Sequence, residues 1–349
     1  MSGNSTGSTA KSGQPARSTH RRASTPTSTF DRVSTNASTR RAPVTLSRAW
    51  LAGAALLCAL STASVAGEEA FQSRTFAADP TWQATAGAFA VTGGGAGSLA
   101  ANPALASELS RPTIALSHLQ WAAGLSREWA ALSTPLGTRF GVGADFGLLR
   151  ADALDGFDEA GNPTGTFSPS EWDVAASVGA DLGQGFGLGA GVRYFRLEDP
   201  TEPLTSVGIS AGATWSGETR SFAVSAVDLG STSDSRYELP TRYRAGGQQW
   251  LAPWARLGAG VEYGTELSLS VGTELRPAPW LSLLAGAGQE SGDTGRGMFW
   301  STGLGFERSG VHASYAFIVD DVLGDRHQLG IELPLRSENS WRHLDTPEP

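Results

Sequence analysis

Cysteine, histidine and long apolar runs are what this chain has least of. Its single cysteine, Cys58, permits no intramolecular disulfide and no cysteine metal cluster. The five histidines, at 20, 118, 312, 327 and 343, show no metal-ligand spacing. Beyond residue 67 no run of about eighteen apolar residues occurs, which excludes α-helical membrane spans there. Charged residues amount to 17%, few for a soluble enzyme. The net charge of -8 is also uneven, because residues 1–66 hold eight of the 26 basic residues and one of the 34 acidic ones. The remainder has 18 basic against 33 acidic residues, a balance that excludes nucleic acid as a natural partner.

Glycine, tryptophan and alternation are what the chain does have, with 44 glycines and eleven tryptophans. The plan is plainest from Pro253 to Arg276. Ala255, Leu257, Ala259, Val261 and Tyr263 alternate with Arg256, Gly258, Gly260 and Glu262. After Gly264-Thr265 the pattern resumes, with Leu267, Leu269, Val271 and Leu275 against Ser268, Ser270, Gly272, Glu274 and Arg276. Side chains in a strand point to opposite faces with period two, so this is a hairpin with one apolar and one polar face. Strands of about ten residues suit a tilted membrane crossing. The expected fold is all-β: a transmembrane antiparallel barrel, apolar side to lipid and polar side to the lumen.

From residue 113 the alternation predicts fourteen strands, at about 113–122, 125–134, 138–149, 171–181, 185–197, 205–216, 219–228, 241–251, 253–263, 266–276, 280–288, 297–307, 310–319 and 326–335. Long connections (150–170, 198–204, 229–240, 289–296, 320–325) follow odd strands and short ones follow even strands. That asymmetry is the one outer-membrane barrels have. Trp172, Trp215, Trp254, Trp280, Tyr194 and Tyr263 fall near strand ends, where an aromatic girdle belongs. Parity makes Arg139, Asp145, Arg193, Arg256, Glu262 and Glu274 candidate lumen-lining charges, and Leu149, Phe195, Leu284 and Ile318 candidate apolar lumen positions. Lipid exposure is expected for Val142, Leu257, Leu269 and Leu329.

Ahead of the barrel the composition changes three times. Residues 1–43 are Ser, Thr and Arg with little that is apolar, and read as a disordered extension. Residues 44–66 combine Arg48, an apolar run from Ala49 to Leu60, and Ser64-Val65-Ala66, the pattern of a signal peptide cleaved near Ala66. Residues 67–112 are a periplasmic N-terminus and hatch: Ala86 to Ala101 is mostly small, and Pro103 biases Asn102 away from helix. Small residues let backbone pack closely, so this segment is expected inside the barrel. The barrel is placed at 113–336, with a C-terminal tail at 337–349.

Catalytic and cofactor motifs are thin. Gly185-Phe186-Gly187-Leu188-Gly189 mimics a dinucleotide fingerprint, but no helix follows it. Gly93 to Gly97 lacks the Gly-Lys-Ser/Thr of a phosphate loop. Asp152, Asp155, Asp158 and Glu159 could offer oxygen to Ca²⁺, yet a solvated acidic loop accounts for them. Ser314 and His312 share a strand face, which ordinary lumen polarity explains. The expectation is a non-enzymatic protein with no cofactor and no metal.

Three segments resemble the PorV/PorQ family, itself related to FadL-type outer-membrane transport barrels. Gly97-Ser98-Leu99-Ala100-Ala101-Asn102-Pro103-Ala104-Leu105-Ala106 is similar to its hatch motif, which marks Asn102, Pro103 and Ala104. Val227-Asp228-Leu229-Gly230 with Leu239-Pro240-Thr241-Arg242-Tyr243-Arg244-Ala245-Gly246 is similar to its mid-chain pattern, with Asp228 where Asn is usual. Val311 to Leu333 is similar to its closing hairpin. The hatch motif here lacks the usual Tyr or Trp before Asn102, and the chain runs on past the last strand instead of ending on an aromatic residue. The resemblance implies a fourteen-stranded outer-membrane barrel with an N-terminal hatch, which meets outer-membrane lipid and the barrel-assembly machinery. It implies a role in secretion, with secreted proteins as partners, or in transport of hydrophobic small molecules.

Overall fold

The computed structural model describes residues 68–121, 124–158, 160–198, 203–291, 297–319 and 324–335. The extension 1–43, the leader 44–66 and the tail 337–349 lie outside the described residues.

Fourteen antiparallel strands form one closed barrel. In chain order they are β1 Thr113–Gln120, β2 Ser126–Leu136, β3 Phe140–Arg150, β4 Ser170–Gly183, β5 Phe186–Glu198, β6 Leu204–Ser216 and β7 Arg220–Thr232. They continue with β8 Arg242–Ala252, β9 Ala255–Tyr263, β10 Leu267–Ala278, β11 Leu281–Ser291, β12 Gly297–Arg308, β13 Val311–Val319 and β14 Arg326–Pro334. Each pairs with its chain neighbours, and β14 closes on β1 with Pro334 opposite Thr113 and His327 opposite Gln120. Closure leaves no unpaired edge, the condition for a sheet to stand in lipid. The strands agree with those read from the alternation, β7 differing most because it runs four residues further, to Thr232.

The alternation resolves into two walls. In β3, Gly141, Gly143, Asp145, Gly147 and Leu149 are buried, while Phe140, Ala144 and Phe146 are exposed. The β9–β10 hairpin has the register its pattern requires, with Gly260 opposite Ser270 and Leu257 opposite Thr273. Leu257, Leu269 and Val271 are 49%, 50% and 56% exposed, whereas Arg256 and Glu274 are 9% and 3% exposed. An apolar wall turned outward around a charged interior inverts a soluble protein and suits a bilayer. Trp172 and Tyr194, with ring centroids 5.5 Å apart, sit toward one rim. Trp215 stacks on Phe222 at 5.8 Å and Trp280 on Phe306 at 6.4 Å toward the other.

All connections at one end are short, such as 137–139 and 184–185, and both 112 and 335 lie at that end. The opposite end carries the long connections. One of them holds its own hairpin, Leu154–Phe157 with Pro163–Phe167.

Candidate functional site

The candidate site is the barrel interior and the segment from Glu69 to Leu109 that lies against it. Glu68–Glu69 pairs in parallel with Tyr237–Glu238, in the connection after β7 at the long-loop end. At the other end of the segment, Glu108 Oε1 accepts hydrogen bonds from Thr214 Oγ1 at 2.6 Å and Ser216 Oγ at 2.7 Å, near the short-turn end of β6. Between these points come one α-helical turn, Pro80–Ala84, and three 3-10 turns, Gln72–Thr75, Ala96–Ala100 and Pro103–Glu108. Asp79 caps the helix by accepting from Thr81 N at 2.6 Å and Trp82 N at 3.3 Å, and Pro80 takes the first turn, where no N–H is needed.

Asn102 has extended backbone, φ -152° and ψ 106°, as the residue before a proline should. Its Oδ1 accepts from Ala104 N at 3.0 Å and its Nδ2 donates to the Val91 carbonyl at 3.2 Å. Asn102, Pro103 and Ala104 are fully buried. They lie against inward glycines: a Cβ on Gly189 would collide with the Pro103–Ala104 backbone, and one on Gly212 with the Asn102 amide. These two glycines permit the segment's backbone to approach the wall so closely.

The charges fall into three groups. In the largest, Arg193 Nη1 and Nη2 grip Asp145 at 2.7 and 3.1 Å, Arg193 also bonds Asp173, and its Nε lies 3.5 Å from Asp228. Arg74, on the segment, pairs with the second oxygen of Asp228 at 2.8 Å. Arg127 Nη1 donates to the carbonyls of Phe76 and Ala77, at 3.2 Å each. Three arginines and three aspartates gather in a place where all six are buried, and Glu171, which accepts from Ser73 N at 3.0 Å, is buried beside them. In the second group Arg242 holds Glu69 at 2.6 and 2.8 Å, and Glu262 receives Arg244 at 2.5 Å and Arg242 at 3.4 Å. In the third, Glu274 is paired with Arg256 at 2.5 Å and Arg276 at 2.8 Å, and Arg256 lies 4.1 Å over the Phe89 ring of the segment. Leaving one member of such a buried set unpaired costs on the order of 3–5 kcal/mol, so these pairs fix which groups must meet.

Of the six charges expected in the lumen, Asp145 and Arg193 come together, Arg256 pairs with Glu274, and Glu262 bridges two arginines. Arg139 is a correction: it sits exposed in the short turn 137–139, just ahead of β3, outside the alternation that would have turned it inward. Eight further charges complete the three groups and lie outside the expected six: Arg74, Arg127, Asp173 and Asp228 in the largest, and Glu69, Arg242, Arg244 and Arg276 in the others. Arg127 and Asp173 carry the signal of charged side chains at inward parity. Asp228 does not, because it sits in a β-bulge between Ala226 and Leu229 with φ 60°, a conformation that breaks parity and turns its carboxylate inward. The apolar positions Leu149, Phe195, Leu284 and Ile318 are all buried.

Between segment and wall remains a cavity of about 540 Å³. Phe76, Trp82, Trp121, Phe299, Ile318 and Leu149 give it aromatic and aliphatic faces, and Arg74, Arg244 and Arg326 give it charge. The Arg244 guanidinium lies 5.1 Å over the Trp82 ring and that of Arg326 5.4 Å over the Trp121 ring, within cation–π range. Among the described residues, no group of three or more His, Cys, Asp or Glu is arranged to hold a metal ion.

This geometry defines a class: a closed fourteen-stranded barrel with its own N-terminal segment packed against the inner wall. No protein-family model and no curated protein sequence matches the chain. Solved structures do. A FadL homologue of Pseudomonas aeruginosa superposes with a TM-score of 0.53 at 12% identity, covering 78% of this chain and all of that one. CymD, described as a monoaromatic hydrocarbon channel, superposes with a TM-score of 0.51 at 12% identity, covering 72% of this chain and 95% of that one. At that identity the likeness is one of fold, and the fold is that of FadL-type barrels.

Proposed function

We propose that this protein is an outer-membrane barrel that binds hydrophobic small molecules within its lumen and passes them across the membrane. The observation that carries this reading is the 540 Å³ cavity with aromatic walls between the segment and the barrel. A cavity of this volume can hold a small molecule against its aromatic and aliphatic faces, while Arg74, Arg242, Arg244, Arg326, Glu262 and Glu290 supply charged groups around it. The FadL-type fold supports the same reading, as does CymD's description as a hydrocarbon channel. The segment around Asn102, Pro103 and Ala104 then acts as a hatch, since it lies between the cavity and the short-turn end. The PorV-like secretion role implied by sequence resemblance has no such observation behind it.

Crystals grown with bromobenzene test the proposal, because bromine is located directly by its anomalous scattering. A peak between Trp82 and Phe299 is expected, and Ala90→Phe, which fills the cavity from the segment side, should remove it. Bromine found only on the outer wall, with the cavity empty, would refute the binding role.

A further inference from the structure

Two adjoining hollows lie on the outside of the barrel, on strands β14, β1, β2, β3 and the start of β4, where the apolar wall gives way to polar residues. The lower one, of about 430 Å³, is lined by Leu116, Ala130, Phe146, Leu329 and Ile331. Its depth comes from Ala130, which stands directly opposite Leu116 on one side and Phe146 on the other. A methyl group between two large side chains leaves a trough.

The upper hollow, of about 700 Å³, is lined by Gln120, Arg150, Asp152, Ser168 and Ser170 among others. It lies toward the long-loop end, beside the base of the connection between β3 and β4. His118 lines both hollows, and its Nδ1 lies 2.7 Å from Glu128 Oε1. Both side chains of that pair remain well exposed, at 46% and 40%, although they point out from the wall. The chemistry thus changes from hydrocarbon to hydrogen-bonding along one continuous groove. The change falls near the rim that Trp172 on β4 and Tyr194 on β5 mark.

We infer that this groove holds one lipid of the leaflet at the long-loop end, with a phosphorylated, polyhydroxylated headgroup. The inference rests on reading the barrel as membrane-spanning. An acyl chain fits the trough over Ala130, where burial of apolar surface drives binding. The headgroup then faces a mixed set of partners. Arg150 is the planar donor that suits a phosphate. Asp152 and Glu128 accept from hydroxyls, while Gln120, Ser168 and Ser170 serve as donor or acceptor. A headgroup carrying only a phosphate would leave those carboxylates facing an anion, so the groove suits one that also brings several hydrogen-bond donors, which sugar hydroxyls supply without displacing the phosphate from Arg150.

Native mass spectrometry of the purified barrel separates this from ordinary lipid coating. The protein would be stripped of lipid in detergent and then exposed to equal amounts of a diphosphorylated glucosamine-disaccharide lipid and phosphatidylethanolamine. One disaccharide lipid per barrel should be retained. Arg150→Gln should weaken retention about tenfold, the loss expected when one charge-assisted contact is removed. Ala130→Trp, which fills the trough without touching the polar hollow, should weaken it comparably, while Leu269→Trp on another part of the wall should have no effect. A heat-dependent shift in electrophoretic mobility confirms that each variant is folded. Equal retention of the two lipids, or equal retention by the parent, Arg150→Gln and Ala130→Trp, would overturn the inference. Neither result bears on the interior cavity, which the bromine experiment reports independently.

Discussion

The outer and inner walls of this barrel are made by the same strands, residue by residue in alternation, yet they obey different rules. The outer wall is repetitive. Leu257, Leu269, Val271 and their neighbours ask of a lipid only that it be apolar, and one can replace another. The inner wall is specific, because outside the cavity its inward positions face particular atoms of the N-terminal segment or of another strand. Arg193 meets Asp145, Gly189 meets the Pro103–Ala104 backbone, and Arg256 meets Phe89. A solvent-like environment tolerates substitution by class, whereas a packed environment tolerates it by shape and charge.

The sharpest test of that difference is Arg193→Met. It leaves Asp145 and Asp173 buried with their main partner gone, and a loss of about 3–5 kcal/mol is expected. Urea unfolding in liposomes would read it, and a loss below 1 kcal/mol would show the cluster to be water-filled and the inner wall far less specific than described. Next comes the pair Leu269→Arg and Ser270→Arg, adjacent residues on opposite walls. The first should cost about 2–4 kcal/mol at mid-depth in a bilayer. The second directs its side chain into the cavity that Ser270 lines and should be tolerated. Equal losses would abolish the distinction between the walls.

A smaller effect is expected at Gly189. Valine there drives a side chain into the Pro103–Ala104 backbone and should cost about 1–3 kcal/mol by overpacking. Part of that cost is relieved if the segment moves, so single-channel conductance in planar bilayers should rise toward that of a variant lacking residues 70–106. Unchanged conductance in both variants would show that the segment does not obstruct the lumen.

The mildest prediction lies outside both walls, at the tip of the hairpin in the long connection. Asp158 accepts from the Asn162 side chain at 2.9 Å, and from the N–H groups of Asn162 at 2.8 Å and Ala160 at 2.9 Å. These bonds, the Asn162 side chain's first, hold its carboxyl below the usual carboxylate range. A depressed carboxyl pKa stabilises the tip above the unfolded value of about 3.9, and that contribution fades as pH falls through the lower folded value. Amide exchange at Asn162 should therefore accelerate only in strong acid. Acceleration already near pH 6 would assign the order of the tip to other groups.

Alternation alone located all fourteen strands, because a strand's side-chain period is fixed by its backbone and each strand meets lipid on one side for its whole length. The short and long connections and the outward leucines follow from the same local rule. Composition likewise marked the 86–106 segment as unusual, and Pro103 dictated the extended backbone at Asn102. What local rules could not reach is who meets whom inside. Arg139 has the right residue type and the right parity, but the strand begins one residue later and leaves it in solvent. Asp228 breaks parity through its bulge, so its meeting with Arg74, 154 residues away in the chain, has no local signature. Charge pairing across the lumen depends on which strands closure brings face to face and on where the segment crosses them. Those are properties of the closed barrel, and only the tertiary structure decides them.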